Sequence, residues 1–354
     1  MGEKKHGFFG ITARTLMILA AALLFLSYIS IFINPAKAWF MTLFGILYLP
    51  LLLLNTALLI LALIRHSRSV WIPVVALLPS LFIFGRHFQL SGSSVPPSPD
   101  DIKIVSYNVD RFNYGDVRGC RDSIFSFLRR QEADIICLQE VSAGKNAALS
   151  DIFKKDLRGY NIEYYAYTRK AGSYGNVILS RFPIKSKGKI VFESSANMAV
   201  YADLDLGDRI VRIYNCHFQS YNISLARLGN AFRKNTKEAV KDTEDKMRST
   251  LRLRPKQVDA VIKDIASCSK ETFVVGDFND TPMSYTYWKL SRGRRDSFID
   301  AGKGFGATYS MLKPLLRIDY VLSPDSFRAT SHQVVNLKYS DHYPIITTFA
   351  KEDR

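Results

Sequence analysis

Polar side chains recur in this sequence where short apolar runs end. Asn108 closes the run in SYNVD, Glu140 follows IICLQ, and His217 follows IYNC. Asp277 and Asn279 lie in VVGDFND, Asp319 in RIDYVL, and Asp341 and His342 in SDHYPI. Taken singly, each has an ordinary explanation, since an Asp or Asn after a strand is commonly a turn residue. As a set they make a chemical inventory. Hard cations such as magnesium take oxygen ligands, usually one or two carboxylates completed by waters and substrate phosphate. Asn108, Glu140 and Asp341 suit that role, and a cation held there would polarise a phosphoryl oxygen. Asp277 is a second carboxylate, able to orient or deprotonate an attacking water. His217 and His342 can contact phosphate, with Asp319 fixing the tautomer of His342. The sequence has no GxSxG elbow, P-loop or HExxH motif, so those hydrolase mechanisms lack support.

These side chains meet only if the runs delivering them lie side by side. Ile102–Tyr107 reads as a strand, Arg121–Arg130 as an amphipathic helix, and Asp134–Leu138 as a buried strand. Further strands are expected at Asn161–Tyr167, Asn176–Leu179, Met198–Leu204, Arg209–Cys216, Thr272–Val275, Arg317–Leu322 and Ile345–Phe349. Pro255 fits the first turn of a helix reaching Ala266, where its missing N–H is harmless. Many strands with interspersed helices predict a mixed α/β domain. Cys120, Cys137, Cys216 and Cys268 form no CxxC pair, which excludes zinc-ribbon and redox motifs. Cys137 and Cys216 sit in apolar runs and read as core thiols.

Residues 1–90 are of another kind, almost entirely apolar. They are expected to form three membrane helices, at about 15–33, 38–64 and 70–86, the last carrying Pro73 and Pro79. The first run is longer than a signal-peptide core and a second follows at once, which favours an uncleaved span despite the Ala36-Lys37-Ala38 stretch. Lys4, Lys5 and Arg14 precede the first run, and Arg65 and Arg68 sit between the second and third. The positive-inside rule then places the N-terminus and the second loop in the cytoplasm and sends the domain after the third span outward. Residues 91–100 read as a Ser/Pro linker, and 101–354 as the catalytic domain. The expected location is integral to a bacterial plasma membrane, with the catalytic domain extracytoplasmic. Net charge is +16, of which +11 falls on residues 101–354. A basic domain suits anionic partners.

The order and local sequence of the polar stretches resemble the endonuclease/exonuclease/phosphatase superfamily. That superfamily includes pancreatic deoxyribonuclease, apurinic-site endonucleases, neutral sphingomyelinases and inositol-polyphosphate phosphatases. The resemblance is carried by VSYNVDRFN (105–113), DIICLQEV (134–141), YGNVILSRFPI (174–184), IYNCHFQS (213–220), VVGDFND (274–280), RIDYVLSP (317–324) and YSDHYPI (339–345). It implies a four-layer α/β/β/α sandwich of two mixed sheets, here preceded by the transmembrane region. It also implies roles: Asn108, Glu140 and Asp341 at a magnesium site, with manganese as the alternative; Asp277 on the attacking water; Asn279 orienting phosphate; His217 contacting it; and Asp319 with His342 as a dyad. No expected catalytic position is replaced.

The expected function is therefore a membrane-anchored, metal-dependent hydrolase of phosphoester bonds. Its partners would be a lipid headgroup, a small phosphodiester or nucleic acid, together with the bilayer, and no obligate protein partner. The rival reading is a non-catalytic membrane-bound recognition module on the same sandwich. Two basic stretches lie outside the shared motifs. Arg227–Lys256 holds ten Lys/Arg against four acids, and Lys289, Arg292, Arg294 and Arg295 follow Trp288. Each reads either as a solvated charged face or as a substrate-side surface.

Overall fold

The computed structural model describes residues 8–92, 95–96, 98–114, 119–142, 153, 156–166, 174–193, 195–220, 237–310 and 315–352. At 8–11, 166, 237–240, 242–244 and 246–247 only the backbone is described. The N-terminal region contains α1 (Phe8–Ser30), α2 (Met41–Ile46), α3 (Tyr48–Ile64), α4 (Trp71–Leu77) and α5 (Ser80–Ile83). The rest contains β1 (Ile102–Asn108), α6 (Cys120–Gln131), β2 (Ile135–Ser142), β3 (Asn161–Ala166), β4 (Tyr174–Ser180), β5 (Ile184–Val191), β6 (Met198–Asp205) and β7 (Ile210–His217). It continues with α7 (Lys237–Ser267), β8 (Glu271–Asp277), α8 (Tyr285–Ser291), β9 (Arg295–Asp296), α9 (Ser297–Ala301), β10 (Asp319–Ser323), β11 (Phe327–Val334) and β12 (Ile345–Lys351).

Two six-stranded sheets form, in the orders β11-β12-β1-β2-β4-β3 and β5-β6-β7-β8-β10-β9. Each is mixed: β1–β2 and β7–β8 are parallel pairs, and the other pairings are antiparallel. The alternation of side chains along a strand splits each sheet into two faces. Ile104, Ile135, Cys137 and Ile178 of the first sheet meet Val200, Ile213, Phe273 and Val275 of the second, making the core between the sheets. On the outer face of the first sheet, Ile124, Phe125 and Leu128 of α6 cover Val105, Ile136 and Val177. On the outer face of the second, Val258 and Val261 of α7 cover Tyr214 and Val274. These are the four layers that the resemblance implied.

Three strands escaped the sequence reading: β5, β9 and β11. All three lie at sheet edges. Edge strands carry polar or charged residues that discourage further pairing, so their apolar signal is weak; β5 alternates Lys185, Lys187 and Lys189 with its other residues. Pro255 also departs from expectation. It lies inside the 31-residue α7 rather than opening a helix. Its ring forfeits one backbone bond there, and the adjacent Arg254 and Gln257 anchor that turn instead (below).

The N-terminal region differs from three plain helices. The expected 38–64 helix is divided into α2 and the 17-residue α3. The third segment is α4 and α5 flanked by 3-10 turns, broken where Pro79 precedes α5. By length and apolarity, Thr12–Ser30 and Arg68–Arg86 could cross a membrane, and Tyr48–Ile64 is a shorter apolar helix. Polar groups inside the bundle find partners across it. Asn55 donates to the Ala20 carbonyl at 3.0 Å, and Tyr28 and Tyr48 both reach Ser80.

This bundle packs directly on the sandwich. Met283 joins the cluster of Ala21, Leu24, Tyr28 and Tyr48, and Phe32 meets Trp288 edge-on at 5.2 Å. A side chain at Gly45 would collide with the Met283 carbonyl, so only glycine allows this approach. Buried His87 lies at the same junction, its ring 4.9 Å from that of Tyr48. Burial, reinforced by Arg317 and Arg86, lowers its pKa to about 3. A depressed value means that neutral His87 supports the fold above the ordinary histidine value of about 6.5, and that this support is lost as pH falls toward the folded value. The melting temperature of the full-length protein should therefore fall on acidification through this window, and less steeply in His87→Phe. Parallel profiles for the two proteins would refute the assignment.

Candidate active site

The two parallel pairs place four strand ends at one rim. β1 and β2 lie side by side near the centre of one sheet, β7 and β8 near the centre of the other, and His217 pairs in register with Asp277. β10 runs antiparallel to β8, so its first residue, Asp319, stands opposite Asp277. Ser340–His342 precede β12 and lie over the same rim, where Ser340 Oγ donates to the Asn108 carbonyl at 2.7 Å and accepts from the His342 N–H.

Asp277 is the hub. It is fully buried. Its Oδ2 accepts from the side-chain amides of Asn108 and Asn279, each at 3.0 Å, and its Oδ1 accepts from the Asn279 backbone N–H at 2.8 Å. The Nε2 atoms of His217 and His342 each stand 3.7 Å from Oδ2. Burial, with Asp319 alongside, pushes the Asp277 carboxyl up to about 6. His342 Nδ1 lies 2.9 Å from Asp319 Oδ2, and its ring packs 4.9 Å from Tyr309. Burial alone would lower the His342 value, but Asp319 and Asp277 raise it well above the ordinary one. His217 has weaker support from charge, and burial lowers it to about 4.

Glu140 completes the rim. A bulge in the β2–β4 ladder between Leu138 and Val141 frees it, at φ +53°. A left-handed conformation is uncommon for Glu and marks local strain. Its carboxylate lies 3.4 Å from the Asn108 amide and 3.6 Å from His217 Nε2. Burial raises its pKa, as does the neighbouring Asp341 charge. Asp110 is likewise raised, by burial and then by Asp341. Arg111 stands 3.1 Å from Asp110 and 3.8 Å from Glu140, and His342 Nε2 stands 3.9 Å from Asp341. Asp110, Glu140 and Asp341 form an oxygen-rich set, which fits a hard divalent cation.

All eight side chains singled out in the sequence thus reach one rim. Asp277, Asp319 and His342 also lie close enough, within 4.8 Å, to share an ion by spacing alone. The His342–Asp319 hydrogen bond already uses one ligand atom from each. Asn279 donates its amide hydrogens to Phe218 and Asp277, so a phosphate there would compete with these acceptors.

Supporting residues were not foreseen. Arg254 belongs to the basic stretch, whose members Arg227, Arg233 and Lys234 lie outside the described residues, but it is 1% exposed. It pairs with Asp280 at 2.9 Å and donates to the Gln219 carbonyl at 2.8 Å, while Gln257 accepts from the Gln219 N–H. It thereby ties the segment after His217 to the segment after Asp277. Beneath the site, Asn215 donates to the Leu138 and Val177 carbonyls and accepts from Gln139, stitching the two sheets together. Charge counting hid Arg254; Asn215, an amide two residues before His217 in an apolar run, was a visible signal.

Gly276 in VVGDFND has φ +125°, and a side chain there would strike the Cys216 carbonyl. Gly276→Ala should destabilise the domain by on the order of 3 kcal/mol or more, combining backbone strain with overpacking. Chemical denaturation reads this directly, and a loss below about 1 kcal/mol would contradict the close approach.

The profile of the endonuclease/exonuclease/phosphatase family matches residues 105–342. The chain belongs to that family. Members of this family are hydrolases of phosphoester bonds, and the two-sheet sandwich is their phosphoesterase fold. A second profile, a domain of unknown function, matches residues 9–87. A family protein from Leptotrichia buccalis shares the fold at TM-score 0.53 and 19% identity, covering 70% of this chain and 99% of that one. D. rerio TDP2 complexed with single-strand DNA product aligns at TM-score 0.52 and 17% identity, covering 71% and 99%. The human Nocturnin catalytic domain with bound sulfate aligns at 0.52 and 14%, covering 73% and 100%. At such identities the likeness is one of fold. No curated protein sequence matches the chain.

Proposed function

We propose that this family member is a divalent-metal-dependent phosphoester hydrolase held in a membrane by its N-terminal helices. The observation that carries the reading is the convergence on Asp277 of two imidazoles and two amides, beside a carboxylate cluster at the same rim. Glu140, Asn108 and Asp341 would hold the cation, magnesium or manganese, which when bound supplies Lewis-acid polarisation of a phosphoryl oxygen. The chain's own residues do the rest. Asp277 accepts a hydrogen bond from the attacking water and aligns it in line with the scissile bond. Asn279 and Asn108 fix the orientation of Asp277. His342, held by Asp319, donates to a phosphoryl oxygen and offsets the charge that builds in the transition state. His217 donates from the other side.

Membrane attachment is supported by the apolar helices Thr12–Ser30 and Arg68–Arg86. The loop joining α1 and α3 lies against the sandwich, whereas Arg65 and Arg68 lie at the opposite ends of α3 and the third segment. With basic residues cytoplasmic, the sandwich faces outward. The test uses purified full-length protein and bis-p-nitrophenyl phosphate. Hydrolysis should require magnesium or manganese, vanish in EDTA and return on adding the metal back. No turnover with either metal, for this and other phosphodiesters, would favour the non-catalytic recognition module.

A further inference from the structure

We infer that the substrate is an amphiphilic phosphoester, its hydrocarbon chain seated in a groove of the helical bundle while its phosphate reaches the rim described above. This rests on the proposed hydrolase reading and names the substrate class for the same site.

The groove lies between α3 and the α4–α5 segment and measures about 700 Å³, within the usual range for ligand sites. Its walls include Leu52, Leu77, Leu81, Phe84 and Phe88, with Gln89 at the sandwich end, and among the described residues no charged side chain lines it. Beside it, Leu81, Phe82 and Leu90 are 77%, 88% and 86% exposed. So much contiguous bare apolar surface is unusual on a water-soluble protein. Along a segment apolar enough to span a bilayer, this groove opens to hydrocarbon rather than water. An uncharged apolar trough of this kind fits an alkyl or acyl chain. A polynucleotide or a sugar phosphate would leave it unfilled.

The groove also ends beside the chemistry. Gln89 and Gly304 exchange two backbone hydrogen bonds of 2.9 and 2.8 Å, and the Phe88 and Phe305 rings are 5.0 Å apart. Four residues beyond Gly304, Thr308 accepts the Asp319 N–H at 3.0 Å. An extended chain covers at most about 3.6 Å per residue, so the Gly304–Thr308 stretch of this path spans no more than about 15 Å. A second path is shorter in sequence: Arg317 donates to the Arg86 carbonyl at 2.9 Å and stands two residues before Asp319. Gly85 of the groove wall is next to Arg86. The part of a long alkyl chain nearest the phosphate, with or without a glycerol unit, would run across this gap. Exposed Lys303, next to Gly304, adds a cation at the mouth.

The experiment uses full-length protein in phosphatidylcholine nanodiscs with two substrates sharing one leaving group, hexadecyl and methyl p-nitrophenyl phosphate. Wild type should show a kcat/KM at least tenfold higher for the hexadecyl ester. Thr56→Trp and Leu81→Trp, which fill the groove, should bring the ratio of the two values toward one. A wild-type ratio near one, or a ratio that neither variant moves, overturns the inference. A hexadecyl phosphodiester bearing a diazirine at mid-chain provides a readout free of catalysis: labelling should map to residues 77–90, and labelling elsewhere only would overturn it. Groove labelling without turnover of either ester would count against the hydrolase reading alone, leaving the chain site standing.

Discussion

Glu140→Ala should lower metal-dependent phosphodiester hydrolysis about a thousandfold or more, while leaving the fold as stable as before or more so. The first half follows from the donor set. Cation polarisation of a phosphoryl oxygen is worth several kcal/mol, and each ~1.4 kcal/mol of barrier is a factor of ten in rate. Glu140 is the carboxylate placed beside Asn108 at the rim, and losing it removes the anchor for that cation. The second half follows from the cost of having Glu140 there. Burial and the Asp341 charge both oppose its ionisation, and its backbone sits at φ +53°. Glu140→Gly goes further, since glycine adopts that conformation freely, and should gain about 1 kcal/mol of stability in metal-free protein. Isothermal titration with magnesium, activity assays and denaturation curves check the three parts. Retention of more than a tenth of wild-type activity by Glu140→Ala would end its assignment to the metal.

The same residue marks where the sequence was readable and where it was not. IICLQEV announces a buried strand, so the position of Glu140 along the chain was evident. That the strand continues past it to Ser142, bulging to turn the carboxylate into the site, was not. Bulges arise from pairing with a partner strand, here β4, and a single strand's pattern does not record them. The central strands were legible because both their faces are covered, giving continuous apolar runs. The edge strands β5, β9 and β11 were not, because the polar and charged residues of an edge leave too few apolar positions to mark a strand. Arg254 misled for a related reason. A basic residue among nine others reads as solvent-facing, and only the packing of α7 on β7 and β8 buries it against Asp280. The docking of the bundle was invisible as well. Met283, Trp288 and Gly45 look like ordinary residues until the fold juxtaposes them.

The Asp319–His342 pair supports the second large effect. Asp319→Asn should reduce kcat by about 10²–10³-fold with a smaller change in KM, the range expected when a donor that stabilises developing transition-state charge is lost or weakened. In the native pair, Asp319 Oδ2 holds His342 Nδ1 at 2.9 Å, which leaves Nε2 directed at Asp277 and the rim. An asparagine amide that turns its NH₂ toward the ring makes Nδ1 an acceptor, so the imidazole is held neutral with its one proton on Nε2 and loses the positive charge it brings to the phosphoryl oxygen. It also removes the negative charge that chiefly counteracts burial. His342 is held well above its ordinary value by Asp319 and then Asp277, so its pKa should fall in the variant. A raised folded-state value contributes stability below the ordinary value of about 6.5, lost as pH rises through the folded one. Asp319→Asn should therefore be most destabilised relative to wild type in mildly acidic buffer, and the gap should close toward alkaline pH. If the two residues act as a unit, Asp319→Asn combined with His342→Ala should be no slower than His342→Ala alone, since effects within a unit are not additive. A double variant whose loss is the product of the single losses would mean that Asp319 works independently of the imidazole it faces.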